Sequence, residues 1–335
     1  MLHLSHPATS YPWLQPVWQH LQDYIQQQRV PQAILVTGGA GLGKRQLLES
    51  YAQSLLCHTP TAEHQACGVC QSCKLLAADT HPDYLLVEPD EAGKGIGIDK
   101  IRQLITKLAL KPQFSGYRVV LIEPAELLNH AAANAFLKCL EEPTERTCLV
   151  LLCEQPARLP ATIRSRCQKL HCPQPESAQA QQWLQQQAIS EDADLLLTLA
   201  QGAPLLAQQY AEQGLIAIRQ AYFNHWLQIA QGKANLVQIA EQWHKQERLE
   251  LTILLTWMTS WVSDLVKLAQ SHDRSQLANP DLSNALQALL QALELKPLFA
   301  FYDMLLAARQ QLTSQINKQL LIEQLLIHWS QLNTR

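Results

Sequence analysis

The feature that most constrains this chain is a glycine-rich turn, Gly38-Gly39-Ala40-Gly41-Leu42-Gly43-Lys44-Arg45, set between an apolar run and a helical pattern. An apolar strand, a glycine turn and a helix start form the context in which backbone N–H groups converge on phosphate oxygens, with the helix dipole adding favourable potential. Gly38, Gly41, Gly43 and Lys44 are therefore candidate nucleotide-binding residues, with Lys44 placed to reach the β- and γ-phosphates of ATP. Such a turn also demands a parallel sheet, because the strand must feed a crossover helix before the next strand joins.

The same loop is altered where it should hold metal. A Ser or Thr hydroxyl helps to hold magnesium in working loops of this kind; here the residue is Arg45. A fixed cation there disfavours a second one and supplies no oxygen. A second apolar run, Val119-Val120-Leu121-Ile122, ends at Glu123-Pro124, where an acidic pair is needed for metal and attacking water. Glu126 reads as an exposed residue at a helix start. The loop can hold a nucleotide or be a relic that merely packs, and the residues leave both open. Hydrolysis lacks its water-positioning acid in either case.

Strands are expected over residues 33–37, 84–88, 118–122, 148–152 and 168–171, with helical patterns near 45–56, 99–110 and 131–140. Asp99 is the expected N-cap of the second helix. Beyond Pro173 and Pro175 strand signals stop, glutamine becomes abundant and apolar residues recur at helical spacing. The expected divisions are residues 1–172, 173–213 and 214–335, since one core rarely grows far past ~250 residues. Trp226, Trp243, Trp257, Trp261 and Trp329 read as packing between helices of the last part. No internal repeat is found. The first residues have neither a cationic start nor an apolar run, and Pro7, Pro12 and Pro16 interrupt any helix there. No stretch approaches the ~18 apolar residues of a membrane span, so a cytoplasmic address and reduced cysteines are expected. A formal net charge of −3 argues against a chain that grips DNA alone, because phosphate neutralisation by Lys and Arg supplies most non-specific affinity.

Cys57, Cys67, Cys70 and Cys73 are spaced C-x9-C-x2-C-x2-C, which fits a closed tetrahedral zinc site stapling residues 57–73. Four thiolates leave no open position for catalysis. Unligated thiols or an iron–sulfur cluster are the other readings. Cys139, Cys148 and Cys153 lie on apolar elements and read as small buried hydrophobes.

Three further segments act together with these: His81-Pro82-Asp83, the helix Asn134-Ala135-Phe136-Leu137-Lys138-Cys139-Leu140-Glu141-Glu142-Pro143, and Ile163-Arg164-Ser165-Arg166-Cys167. With them the chain resembles the bacterial clamp-loader ATPases of the AAA+ class over its whole length, most specifically over residues 31–172. The resemblance implies an α/β P-loop (AAA+) domain with a parallel sheet and a zinc-module insertion, a small helical lid domain and an all-α C-terminal collar through which subunits assemble. Motor subunits of that family, gamma and tau, carry Ser or Thr at Arg45, an Asp-Glu pair at Glu123-Pro124, a polar sensor near Cys153 and Glu154, and a sensor arginine after Gly202. This chain departs at all of these, reading Ala203-Pro204-Leu205 after Gly202, yet keeps Ser165-Arg166-Cys167. That combination is similar to the delta-prime type of DNA polymerase III subunit.

The resemblance implies a stator that does not hydrolyse ATP, within a holoenzyme that is a DNA-directed DNA polymerase (a nucleotidyltransferase). Arg166 would act in trans as an arginine finger at the ATP site of an adjacent gamma or tau subunit, with Ser165 and Cys167 shaping its turn. The bland reading of Arg166 is a surface salt bridge. Implied partners are gamma/tau and delta, with the sliding clamp and primer-template DNA met through the assembled complex at the replisome. The alternatives are a catalytically active gamma/tau-type ATPase and, more weakly, a zinc-dependent DNA-binding module.

Overall fold

In the computed structural model, which describes residues 11–91, 94–114, 116–142, 144–187, 189, 192–245, 250–271, 273–274, 276–312 and 317–332, the expected strands join one five-stranded sheet. They are β1 Ala33–Thr37, β2 Tyr84–Val87, β3 Arg118–Ile122, β4 Thr147–Cys153 and β5 Gln168–His171. The order is β2-β3-β4-β1-β5 with every pairing parallel, so β1 lies between β4 and β5. Parallel strands covered on both faces need continuous apolar runs. All of β3 and all of β4 are accordingly buried.

On one face the Ile98–Leu108 and His130–Glu141 helices pack Ile101, Leu104, Ala132 and Phe136 against Val120, Leu149 and Leu151. The Lys44–Leu56 helix follows the glycine turn and buries Leu47, Leu48, Tyr51 and Leu55. The Ile98–Leu108 helix begins one residue before its expected start. Gly97 takes the N-cap position, because Ile96 bridges to Leu128 and delivers the chain extended into the helix. Asp99 sits instead in the first turn, 3.2 Å from Arg102, where its charge still complements the helix dipole. The His130–Glu141 helix closes at Glu142; Pro143, expected to end it, and Pro7 lie outside the described residues.

His81-Pro82-Asp83 is a structural joint. Asp83 is fully buried and accepts from the backbone N–H groups of Gln113 and Phe114 at 3.0 Å each. Arg118 Nη2 lies 3.4 Å from the same carboxylate and donates from Nη1 to the carbonyls of Lys107 and Leu110. His81 accepts at Nδ1 from Asp83 N–H, which leaves Nε2–H to face Ser72 Oγ at 3.0 Å; that hydroxyl donates to Leu56 O.

Contacts divide the chain into two units, residues 1–180 with 203–206, and residues 181–202 with 207–335. Past β5 every described element is helical. Ser177–Gln185, Ala193–Leu199 and Pro204–Glu212 come first, and Leu215–Ala230, Leu236–Lys245, Leu251–Gln270, Ser283–Leu290, Leu295–Gln311 and Lys318–Gln331 follow. All five tryptophans singled out above are buried in one cluster. Trp226 and Trp329 stack at 3.7 Å, and Trp329 Nε1 donates to Trp226 O at 2.9 Å. Within that core Arg219 is fully buried, paired with Asp281 at 2.8 Å and bonded to Asn279. Asn279 in turn donates to buried Asp264. No helix among the described residues is long and apolar enough to cross a membrane.

Candidate functional site

The glycine turn stands at the carboxyl end of β1, the edge of an open α/β sheet where ligands ordinarily bind. Its conformation needs its glycines. Gly41 has φ +66°, and a Cβ there would meet the backbone of Leu206 at 2.7 Å. Gly43 has φ +85° and lies against the Tyr11 ring. Leu205 N–H donates to Gly41 O at 3.1 Å, and Trp13 Nε1 donates to Leu42 O at 2.8 Å. Tyr11, Trp13 and the Leu205-Leu206 pair thus clasp the loop from both sides. Sequence reasoning missed them, since nothing local marks an aromatic residue or a leucine as the partner of a distant turn.

Lys44 is 4% exposed, and its ammonium donates to Gly39 O and lies 3.5 Å from Glu154 Oε1. Arg45 Nε reaches Glu49 at 3.0 Å, while Nη1 reaches Glu88 at 2.6 Å and Glu123 at 3.1 Å. Burial opposes the charge on Arg45, but bonds to Glu88 and Glu49 and the field of Glu123 outweigh it and hold the guanidinium above its ordinary pKa. Burial raises the Glu123 carboxyl, with Glu88 and Glu49 adding to the shift and Arg45 opposing it. Of these acids only Glu123 was singled out by its place at a strand end. Glu88 also stands at a strand end and was not singled out, and Glu49 lies on a helix, where that signal does not exist.

Glu126 stands at a helix start as expected, but it is not exposed. It is half-buried in a 3-10 turn, Ala125–Leu127, and its Oε1 accepts from the N–H groups of Glu154 and Gln155 at 2.9 and 3.0 Å. Those N–H groups end β4 and have no further strand to pair with, so the carboxylate takes them over. Glu126 therefore fixes the segment that brings Glu154 to Lys44.

The cysteine spacing converges in space. The Sγ atoms of Cys57, Cys67, Cys70 and Cys73 all lie within 4.8 Å of one another, with Cys57 and Cys70 at 3.9 Å. Sulfurs at the ~2.3 Å zinc–sulfur bond length on a tetrahedron stand ~3.8 Å apart. Backbone N–H groups point inward as well: Cys67 N donates to Cys57 Sγ and Cys70 N to Cys67 Sγ, each at 3.3 Å. Bonds from Thr59 and from the Val69 and Cys70 backbone lower the Cys67 thiol to about 6, whereas burial raises Cys57 and Cys73. Inward donors of this kind favour thiolates, the form that binds metal, so this cluster can hold a metal ion. The other five cysteines are buried, and none of the nine is in a disulfide. Burial lifts Cys148 and Cys153 to about 12.

Arg166 follows the short helix Ala161–Arg164. Nη2 donates to Glu141 Oε1 at 2.8 Å and Nη1 to Thr162 O at 3.0 Å. Ser165 Oγ donates to the same Thr162 carbonyl, and Cys167 is buried beneath the turn. Arg166 also lines a cavity of about 210 Å³ with Pro31, Gln32, Cys139 and Gln168. The glycine turn, the cysteine cluster and Arg166 all belong to the first unit.

Known proteins give the context. A family model described as DNA polymerase III, delta subunit, matches residues 13–176, and one described as its C terminal matches residues 213–331. A Pseudomonas aeruginosa protein named DNA polymerase III subunit delta' is 38% identical over 330 residues, covering 97% of this chain and 98% of its own. Its namesake in Yersinia pestis is 33% identical over 328 residues, covering 95% of each. The Escherichia coli protein of that name is 32% identical over 324 residues, covering 95% of this chain and 94% of its own. Identity of this degree over nearly the full length of both chains places this one in the family of DNA polymerase III delta' subunits.

Proposed function

We propose that the chain is the non-hydrolysing stator of a bacterial clamp loader and lends Arg166 to the ATP site of an adjacent gamma or tau subunit. The observation that carries this is the state of its own phosphate loop. Arg45 stands where a metal-holding hydroxyl is needed and lies 3.1 Å from Glu123, the acid at the strand end where a metal-holding pair is needed. Glu126 is committed to the β4 end and positions no water. A gamma/tau-type motor needs both, so the alternative of an active ATPase has no support in this site.

Arg166 is partly exposed and held by elements of the first unit alone, with a planar fork suited to the equatorial oxygens of a phosphoryl group in transfer. On this reading residues 1–172 form the AAA+ domain, residues 173–213 a lid and residues 214–335 a collar that joins gamma/tau and delta. The sliding clamp and primer-template DNA are met through the assembly, in the cytoplasm. The four thiols suit zinc, which would staple residues 57–73 to the Gln71–Ala77 helix and contribute folding energy, with no role in chemistry. Mixing the purified chain with gamma or tau and delta tests the reading. A stable complex whose ATPase and clamp loading fall on Arg166→Ala is expected. Strong turnover by the chain alone, or no complex, overturns it.

A further inference from the structure

Arg45 is out of place by local rules. It lies in the first turn of the Lys44–Leu56 helix, where the dipole favours anions and a cation is disfavoured. It is nonetheless hydrogen-bonded to Glu49 and Glu88 and ion-paired with Glu123, and these partners come from three elements. Glu49 is one turn further along the same helix, Glu88 follows β2 and Glu123 follows β3. Contacts of 2.6, 3.0 and 3.1 Å to three carboxylates are what a guanidinium makes when it neutralises them together. Without a cation at their centre, these three acids at the carboxyl edge of the sheet would repel one another.

We infer that Arg45 is a tethered substitute for a divalent cation. It draws Glu49, Glu88 and Glu123 together at the mouth of the phosphate loop, so that this edge of the sheet is organised without magnesium. The substitution that removes metal chemistry is then also a structural requirement, and its loss converts the place into one that takes a hard divalent ion. Hard oxygen ligands of this kind suit Mg²⁺ and Mn²⁺. The role of Arg45 is independent of what Arg166 does in an assembly.

The test uses the full chain and Mn²⁺ alone, read by electron paramagnetic resonance and by thermal denaturation. Arg45→Thr removes the cation, keeps the acids and adds a hydroxyl. Its melting temperature should fall in metal-free buffer and recover with Mn²⁺. It should gain one Mn²⁺ bound roughly tenfold or more tighter than any held by the parent chain, since only binding to the folded form restores stability. Adding Glu123→Gln should abolish the gain. The inference is overturned if Arg45→Thr binds no more Mn²⁺ than the parent, or if the gain survives Glu123→Gln. Should Arg45→Thr fail to fold, the triple variant with Glu88→Gln and Glu123→Gln decides. With the excess negative charge removed it should fold, and a triple variant that also fails overturns the inference.

Discussion

Arg166 donates to Glu141 at 2.8 Å across 25 residues of chain, joining the turn before β5 to the end of the helix before β4. Glu141 and Arg166 are both substantially exposed, at 50% and 39%. A pair this open is worth only ~0–1 kcal/mol to the fold. Arg166→Ala should therefore leave the melting temperature of the isolated chain nearly unchanged. In the assembled complex it should remove most hydrolysis at the one site it faces, since arginine fingers are worth ~10³ to 10⁵ in rate. Bulk ATPase then falls in part, because the other motor sites keep their own fingers. Arg166→Lys keeps the charge but loses the fork, and should recover little. Steady-state ATPase and clamp-loading assays on both variants check this.

Isolated chain should show negligible ATP turnover with magnesium, far below the ~1 per second of ordinary phosphoryl-transfer enzymes. Arg45→Ser should not restore it, because Pro124 and the occupied Glu126 leave no acid to orient water. A coupled phosphate-release assay with both proteins would reveal any rescue.

About one zinc per chain is expected in protein purified without chelator, as four convergent thiolates saturate a tetrahedral ion. Cys70→Ser should lower zinc content and loosen residues 57–73 without altering the sheet. Elemental analysis and hydrogen exchange over that segment report the two effects, and iron in place of zinc would refute the assignment.

Removing the Asp83 carboxylate should be severe. Asp83→Ala leaves Arg118 buried without its anion and strips two backbone N–H groups of their acceptor. Losing one partner of a buried pair costs about 3 to 5 kcal/mol. Urea unfolding should show that loss, with Asp83→Asn intermediate because the amide oxygen still accepts.

Burial holds His81 below its ordinary pKa of 6.5, with the Asp83 charge acting the other way and too weakly to reverse it. The neutral ring is the folded form, so the unfolded chain takes up protons more readily as the pH falls. Stability from His81 is complete above about pH 6.5 and declines as the pH drops through that value toward the folded one. Urea midpoints between neutral and mildly acidic pH should fall more steeply for the parent chain than for His81→Gln.

The strands, the sheet class and the tryptophan core were legible because each is written in local periodicity. Apolar runs such as Val119-Val120-Leu121-Ile122 can only be buried strands between covered faces, and Trp226 and Trp329 sit on helical stripes that must face inward. The cysteine cluster was legible for the same reason, since Cys67, Cys70 and Cys73 lie within two turns of chain and need only Cys57 brought near. Partnerships between distant polar groups were decided by the tertiary structure alone. Arg45 finds Glu123, Trp13 finds Leu42, Glu126 finds the end of β4 and Arg219 finds Asp281 only once strands and helices have packed. Hydrophobic burial depends on a residue's own face and so leaves a repeating trace in sequence. A hydrogen bond or ion pair depends on two groups meeting at ~3 Å, and no period in the chain encodes that meeting.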